Sequence, residues 1–196
     1  MSHRLLADAR FHRALFEIDE LWAGEARSEG CRDCGGALHV ANYPRKPRGE
    51  PPGLCTGWSL RHSFCCSVDG CRRRLTPTSV RFLGPKVYTG VVVVLSTVLT
   101  HGLSGRRLRI LRQSLGLDRR TLERWRRWWR EEVPRTDFWK ELRGRFDQQV
   151  DEGTLPGSLF ERFVARDEEG RLLRFLRLIA PLTHSALMRA RFARVA

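Results

Sequence analysis

Lysine is almost missing from this chain. Only Lys46, Lys86 and Lys140 occur among 36 basic residues, and the other 33 are arginine. A skew of that kind also follows from codon usage, so where the charge sits says more than its total. Long apolar runs are missing too. The longest, Val87 to Leu99, is broken by Thr89, Gly90, Ser96 and Thr97 and falls short of the roughly 20 residues that a membrane span needs. The opening stretch, MSHRLLADARFHRALFEIDELW, is interrupted by charge throughout and has neither the apolar centre nor the small-residue cleavage site of a secretion leader. The expectation is a cytoplasmic chain with no membrane partner. In that setting structural disulfides are rare and closely spaced cysteines read as metal ligands. No internal repeat and no low-complexity tail is visible.

What is present suits a folded protein. The 196 residues are 41% hydrophobic, enough for a packed core in one medium domain or two small ones. The formal net charge is +14 and the pI is about 10.9, the electrostatic footprint of a polyanion binder. The charge is segregated. Residues 1–30 carry net −2, residues 31–86 net +7, residues 87–130 net +8, residues 131–170 net −5 and residues 171–196 net +6. Codon bias alone does not concentrate charge in the middle of a chain and leave an acidic stretch beside it.

The apolar positions Leu6, Ala9, Ala14, Phe16 and Leu21 recur at helical spacing, with Ser2 as a cap and Gly24 as the stop, which predicts an amphipathic N-terminal helix. NYPRKPRGEPPGLCTG at 42–57 is a Pro/Gly-rich loop. The flanking runs ALHVA and WSLRHSF read as two strands of a small hairpin. Residues 85–101 are ambiguous: VVVVL suits a buried strand, while Pro85 and Gly102 frame a longer helix. Length favours the helix. Ser104 caps a helix to 115, stopped by Gly116. Asp118 caps the next, RRTLERWRRWWREE, with Leu117 and Leu122 placed as a hydrophobic staple, and Pro134 closes it. Later helices are expected at 137–150, at 157–166 with Ser158 and Glu161 as a capping box, and at 169–180 ending before Pro181.

Cys31-Arg-Asp-Cys34 is a C-x2-C knuckle followed by Gly35 and Gly36, and Cys66-Ser-Val-Asp-Gly-Cys71 lies across the loop as C-x4-C. Four thiolates form the closed tetrahedral set of a structural Zn2+ site, which leaves no open position for water. The adjacent cysteines leave a choice. Strand alternation puts Cys66 with Phe64 and His62 on one side and Cys65 on the other, so Cys66 is favoured and Cys65 is the alternative ligand. Cys55 reads as a bystander, and His39 and His62 as substitutes that four cysteines make unnecessary. The competing reading is reduced thiols with no metal.

The helices 104–115 and 119–131, joined by Gly116-Leu117-Asp118, fit a helix-turn-helix unit, whose second helix enters the major groove. Leu122, Trp125 and Trp129 form the inward stripe. Arg119, Arg120, Glu123, Arg124 and Arg127 face outward. Arg120 and Arg124 sit one turn apart, as bidentate guanine contacts would. Arg126, Arg130 and Thr121 suit phosphates, and Arg106, Arg107 and Arg109 suit a backbone clamp from the preceding helix. The competing reading is a helical hairpin with a solvated arginine face. Against it, the stretch from Arg106 to Arg130 holds ten arginines and only Asp118 and Glu123 as acids.

A ribbon of the form C-x2-C, aromatic-x-C-x4-C-R-R-R and TP, followed by a helix-turn-helix ending in TLERWRRWW, resembles the N-terminal DNA-binding half of insertion-sequence transposases and their small accessory proteins. The resemblance covers about residues 31–130. It implies that Cys31, Cys34, Cys66 and Cys71 hold Zn2+, that helix 119–130 reads DNA, and that the partners are double-stranded DNA with a second copy or a transposase, in a nucleoid-associated protein of a mobile element. The catalytic half of that family is not evident. Its transposases use three carboxylates and two divalent ions on a strand-rich domain. The residues after Arg130 read as helices, so no catalytic residue is assigned.

The resulting expectation is a mainly α fold with a small β zinc ribbon and a helix-turn-helix unit, divided as an N-terminal helix (1–30), zinc ribbon (31–84), helix-turn-helix (85–133) and C-terminal helical region (134–196). The expected function is sequence-selective DNA binding in transposition or regulation without catalysis. The alternatives are an active transposase or nuclease, and a structural assembly adaptor.

Overall fold

Four consecutive valines favour a strand by intrinsic preference, yet Val91, Val92, Val93 and Val94 lie fully buried on a helix, α3 (Gly90–Leu99). A helix that is apolar all round belongs in a core, and α3 packs against helices before and after it in the chain. Gly90 opens it where a Cβ would come within 3.1 Å of the Val80 carbonyl, and Thr97 satisfies its buried hydroxyl by donating to the Val93 carbonyl at 2.7 Å. The computed structural model describes residues 3–45, 47–83, 88–99, 109, 113 and 117–183. About half of these are helical, with two small antiparallel sheets. None of the described helices is long and apolar enough to cross a membrane.

The N-terminal region differs from expectation in two ways. Asp8 divides it into α1 (His3–Ala7) and α2 (Ala9–Glu29), its carboxylate accepting from the Arg10 amide at 2.9 Å. Gly24 does not stop α2, which runs on to Gly30 at φ +78°. A glycine inside a helix costs about 1 kcal/mol against alanine, less than the packing that the rest of α2 makes. The buried face is also rotated from the one expected. Phe11, Leu15, Ile18, Ala23 and Ala26 face inward with His12 and Asp19, while Leu21 is 59% exposed. The two buried polar residues hid the stripe.

His12 Nε2–H donates to the Leu6 carbonyl at 3.2 Å, and its Nδ1 is buried without a partner. Burial holds its pKa down from 6.5 to about 4. A proton at Nδ1 would be a buried charge with no acceptor. The unfolded chain therefore binds more protons between about pH 4 and 6.5, and stability falls as pH falls through that window. At 1.36 kcal/mol per pKa unit the gap amounts to about 3 kcal/mol. We expect His12→Gln to flatten the slope of unfolding free energy against pH over this window, measured by denaturant titration. An unchanged slope would remove His12 as its source.

The expected pairing of ALHVA with WSLRHSF is replaced by two small antiparallel sheets, since ALHVA pairs with residues 64–66 and Leu60–Arg61 pairs with Tyr43–Pro44, inside the stretch expected as a loop. Strands β1 (Leu38–Val40), β4 (Phe64–Cys66) and β5 (Arg74–Leu75) form one sheet in the order β1-β4-β5, with Leu38 opposite Cys66 and Cys65 opposite Arg74. Strands β2 (Tyr43–Pro44) and β3 (Leu60–Arg61) make a second. A small apolar cluster of Ala23, Leu38 and Phe64 with Cys31 and Cys66 backs the first sheet. The main core draws on both ends of the described chain, from Leu6 to Leu182.

Asp19 joins these parts. Its carboxylate accepts from Arg81 Nε at 2.7 Å, the Val80 amide at 2.8 Å and the Ser79 hydroxyl. Both side chains of the ion pair are 0% exposed. Arg81 also donates to the carbonyls of Trp58 and Leu60, and its guanidinium lies over the Phe16, Trp58 and Phe82 rings at 4.7–5.3 Å. One buried cluster thus fastens α2, the ribbon and the segment leading into α3.

The region after residue 117 follows its capping signals at Asp118 but not at Ser158. Asp118 caps α4 (Arg119–Arg127), accepting from the Thr121 amide at 2.6 Å, and Leu117 and Leu122 are both buried. A π turn, Trp128–Glu132, continues α4, and a 3-10 turn, Val133–Arg135, ends it through Pro134. The π turn buries Trp128 and Trp129 together with Trp125, which successive positions of a narrow helical stripe do not achieve. Helix α5 (Asp137–Arg143) stops well before 150. The helix expected at 157–166 is one turn, α6 (Gly157–Phe160), and the capping box is absent: Pro156 holds the cap position and the Ser158 hydroxyl donates to the Asp151 carbonyl at 2.6 Å. Helix α7 (Glu168–Ile179), capped by Asp167, matches its expected span to within a residue and passes into a 3-10 turn across Pro181. The helix expected at 104–115, with Arg106 and Arg107, lies outside the described residues except for Arg109 and Gln113, which are helical and exposed.

Candidate metal centre and basic helix

The four sulfurs of Cys31, Cys34, Cys66 and Cys71 all lie within 4.8 Å of one another. Cys34 and Cys66 are 3.4 Å apart, and Cys31 and Cys71 3.8 Å. These separations are too long for disulfides, whose sulfurs sit at about 2.05 Å. They bracket the edge of about 3.8 Å that a tetrahedron with Zn–S bonds of about 2.3 Å requires. Two elements supply the ligands. The knuckle after α2 closes with the Gly35 amide donating to the Cys31 carbonyl at 2.7 Å and the Cys31 amide to the Gly36 carbonyl at 2.8 Å. Strand β4 and the turn to Cys71 supply the other two.

The glycines serve different needs. Gly35 and Gly70 take positive φ, +70° and +85°. Gly36 supplies space: a Cβ there would come within 2.5 Å of the Val68 side chain and 3.2 Å of Cys66 Sγ.

Strand geometry puts Cys66, and not Cys65, in the cluster. Cys66 is 0% exposed and in the cluster. The Cys65 thiol points away and donates to the Cys66 and Arg72 carbonyls at 3.7 and 3.6 Å. Cys55 is exposed. His39 is exposed, and His62 packs on Phe16 at 6.2 Å between ring centres; neither joins the cluster.

A backbone contribution was not foreseen from the sequence: the Val68 amide donates to Cys66 Sγ at 3.4 Å. The Asp33 and Cys34 amides hold the Cys31 thiol down at about 7. At Cys34, Cys66 and Cys71 the Gly36, Val68 and Arg73 amides respectively pull toward the thiolate. The neighbouring thiols and burial outweigh that pull and hold all three above their ordinary value. Four sulfurs this close do not all ionise without a cation between them, and the amide donors are placed for the anionic form. The donor set fits a soft divalent metal.

The arginine run that follows the cluster is engaged locally. Arg72 pairs with Asp69, and Arg73 lies 3.9 Å from Asp33. Arg74 donates to the Ser63 hydroxyl at 2.9 Å and the Ala41 carbonyl at 2.7 Å and lies over the Tyr43 ring.

Helix α4 is amphipathic. Leu122, Trp125 and, in the π turn, Trp129 are buried as the spacing implied, while Arg119, Arg120, Glu123, Arg124, Arg127 and Arg130 are exposed. Arg126 is half-buried. Arg119 is tied to Glu123 at 2.7 Å. Thr121 corrects the expectation: it is buried, and its hydroxyl donates to Asp118 at 3.2 Å, so it does not face outward. Arg124 donates to the Thr121 hydroxyl at 3.4 Å, and its charge, after the Thr121 amide, helps to hold the Asp118 carboxyl below its ordinary pKa.

Several acids of 131–170 hold local structure. Asp151 and Asp167 cap helical turns, and Glu152 accepts from Trp139 Nε1 at 2.6 Å. Asp137 pairs with Lys140. Among the described residues the one group of potential metal ligands close enough to share an ion is the cysteine set.

Comparison with family models, with curated proteins and with solved structures finds no match to this chain.

Proposed function

We propose that the cysteine cluster binds one structural Zn2+ and that the chain is a sequence-selective DNA-binding protein, of the kind that transposase accessory proteins represent, with α4 as its reading helix. The observation that carries the reading is the outer face of α4. It presents Arg120, Arg124 and Arg127 with Glu123 as its one acid, and that acid is taken up by Arg119, while the π turn that follows adds Arg130 beside the exposed Glu131. A helix that is merely solvated mixes its charges as i,i+4 pairs. The amphipathic body beneath, anchored by Trp125 and Trp129, holds that face rigid.

The test is binding to cognate and scrambled duplexes over a salt series. A base-contacting arginine costs roughly 1–3 kcal/mol and relaxes preference at one position, whereas a phosphate-contacting one weakens all sequences alike. We expect Arg120→Ala or Arg124→Ala to lower discrimination, and Arg106→Ala or Arg107→Ala to lower affinity for both duplexes equally. Uniform loss from all four variants would remove α4 as a reading element. The same samples, given Mg2+ or Mn2+, are expected to leave the strands intact. Cleavage abolished by one Asp or Glu change within 137–169 would replace this reading with a transposase or nuclease. Partner binding that survives loss of DNA binding would replace it with an assembly adaptor.

A further inference from the structure

Thr121 suits a phosphate contact by its place in the sequence, but the structure turns its side chain inward. Its hydroxyl is engaged twice. It donates to Asp118 Oδ2 at 3.2 Å and accepts from Arg124 Nη2 at 3.4 Å. Asp118 Oδ1 accepts from the Thr121 amide at 2.6 Å. That amide above all, with the Arg124 charge behind it, holds the Asp118 carboxyl below its ordinary pKa. A carboxylate only accepts and a guanidinium only donates, so the sense of the chain is fixed, from Arg124 to Thr121 to Asp118. The cap that starts α4 thus reaches one turn along the helix to an exposed arginine.

This contact places the guanidinium. Side chains on a helix lean toward its N-terminus, and the bond to Thr121 holds Arg124 in that direction, over the first turn of α4. In a helix-turn-helix unit the N-terminal residues of the second helix reach the base edges. One N–H of Arg124 goes to the hydroxyl; the other four leave a fork that matches O6 and N7 of guanine. Arg119, by contrast, is held by a carboxylate, Glu123 at 2.7 Å. An arginine that is already held has fewer rotamers to lose when it binds a base.

We infer that Thr121 is a positioning residue for base reading: through its hydroxyl the Asp118 cap holds Arg124 over the first turn of α4, where it takes a guanine in bidentate fashion. The inference rests on the DNA-binding reading above and deepens it, by naming the base and the group that aims the arginine.

The experiment measures binding of the metal-loaded full chain to an array of randomised duplexes, for wild type, Thr121→Val, Thr121→Ser, Asp118→Asn and Arg124→Ala. A salt series follows on the best-bound duplex and on a scrambled one. Thr121→Val removes the hydroxyl at nearly constant shape and keeps the amide that Asp118 caps. It is expected to lower preference for guanine roughly 3- to 10-fold at the one base pair that Arg124→Ala relaxes. The salt slope should stay unchanged, because no charge is lost. Thr121→Ser keeps a hydroxyl and is expected to restore the preference. In the Arg124→Ala background Thr121→Val should add nothing. Asp118→Asn keeps a capping side chain but turns one acceptor into a donor, and is expected to lower the same preference with Thr121 intact. Thermal midpoints and metal content report folding, and where Thr121→Val does not fold, Asp118→Asn decides. If the folded variants at 118 and 121 read DNA as wild type does, the inference is wrong and the DNA-binding reading stands. Uniform weakening of all duplexes by Thr121→Val would also overturn it, by giving Thr121 a role in the helix or at the DNA backbone. If wild type shows no preference among duplexes, the DNA-binding reading falls and takes this one with it.

Discussion

Changing Cys34 to serine is expected to empty the metal site and unfold the ribbon. Purified protein should carry about one Zn2+ per chain by elemental analysis. In Cys34→Ser, the metal should fall well below stoichiometric amounts. The reason is the size of the local core. Among the described residues only Ala23, Leu38, Phe64 and the partly buried Leu75 back the sheet besides the cysteines themselves, and its strands are two or three residues long. In modules of this kind metal-binding free energy is folding free energy. Chelation of the wild type should reproduce the variant, with loss of amide protection in 31–40 and 64–75 measured by hydrogen exchange. Cys65→Ser and Cys55→Ser should retain the metal, because the Cys65 thiol points away from the cluster and Cys55 lies outside it. Protein that holds no stoichiometric metal, or Cys34→Ser with full ribbon protection, would return the cluster to four reduced thiols.

The cysteine cluster was legible because its rule is local. Two short spacings and strand alternation pick out Cys31, Cys34, Cys66 and Cys71, and the antiparallel register that sets Leu38 opposite Cys66 brings them together. The amides that favour the thiolates were not legible, since any residue supplies an amide and only the turn geometry aims it. Caps explain the second half in the same way. Asp118 marks a helix start by chemistry that acts within a few residues. Ser158 and Glu161 made the same local pattern and failed, because the Asp151 carbonyl competes for the hydroxyl from outside the helix. Thr121 failed for a related reason: being the third residue after the cap matters more to it than being near the helix start. The buried face of α2 was hidden by His12 and Asp19. A pattern reader scores both as surface, and their inward position rests on partners far along the chain, Arg81 above all.

That partnership sets the last expectation, a large loss of stability from Asp19→Ala. The variant would leave Arg81 fully buried with only carbonyls and ring faces around it, and would strip an acceptor from the Ser79 hydroxyl and the Val80 amide. Breaking a buried ion pair by removing one partner costs about 3–5 kcal/mol, because the charge left behind has no compensation. Against a total stability of about 5–15 kcal/mol for a domain, that is enough to leave the chain marginal. The measurement is the midpoint of denaturant unfolding at constant slope. Removing both charges separates charge from packing. Asp19→Leu with Arg81→Met should recover much of the loss, since apolar residues of similar volume often replace buried ion pairs at little cost. Recovery would mean that the pair chiefly avoids an unpaired charge. Failure of the double variant to recover would mean that the Arg81 bonds to Trp58 and Leu60 are what hold the ribbon to the helical core. A shift below about 1 kcal/mol in Asp19→Ala itself would contradict the buried pair altogether.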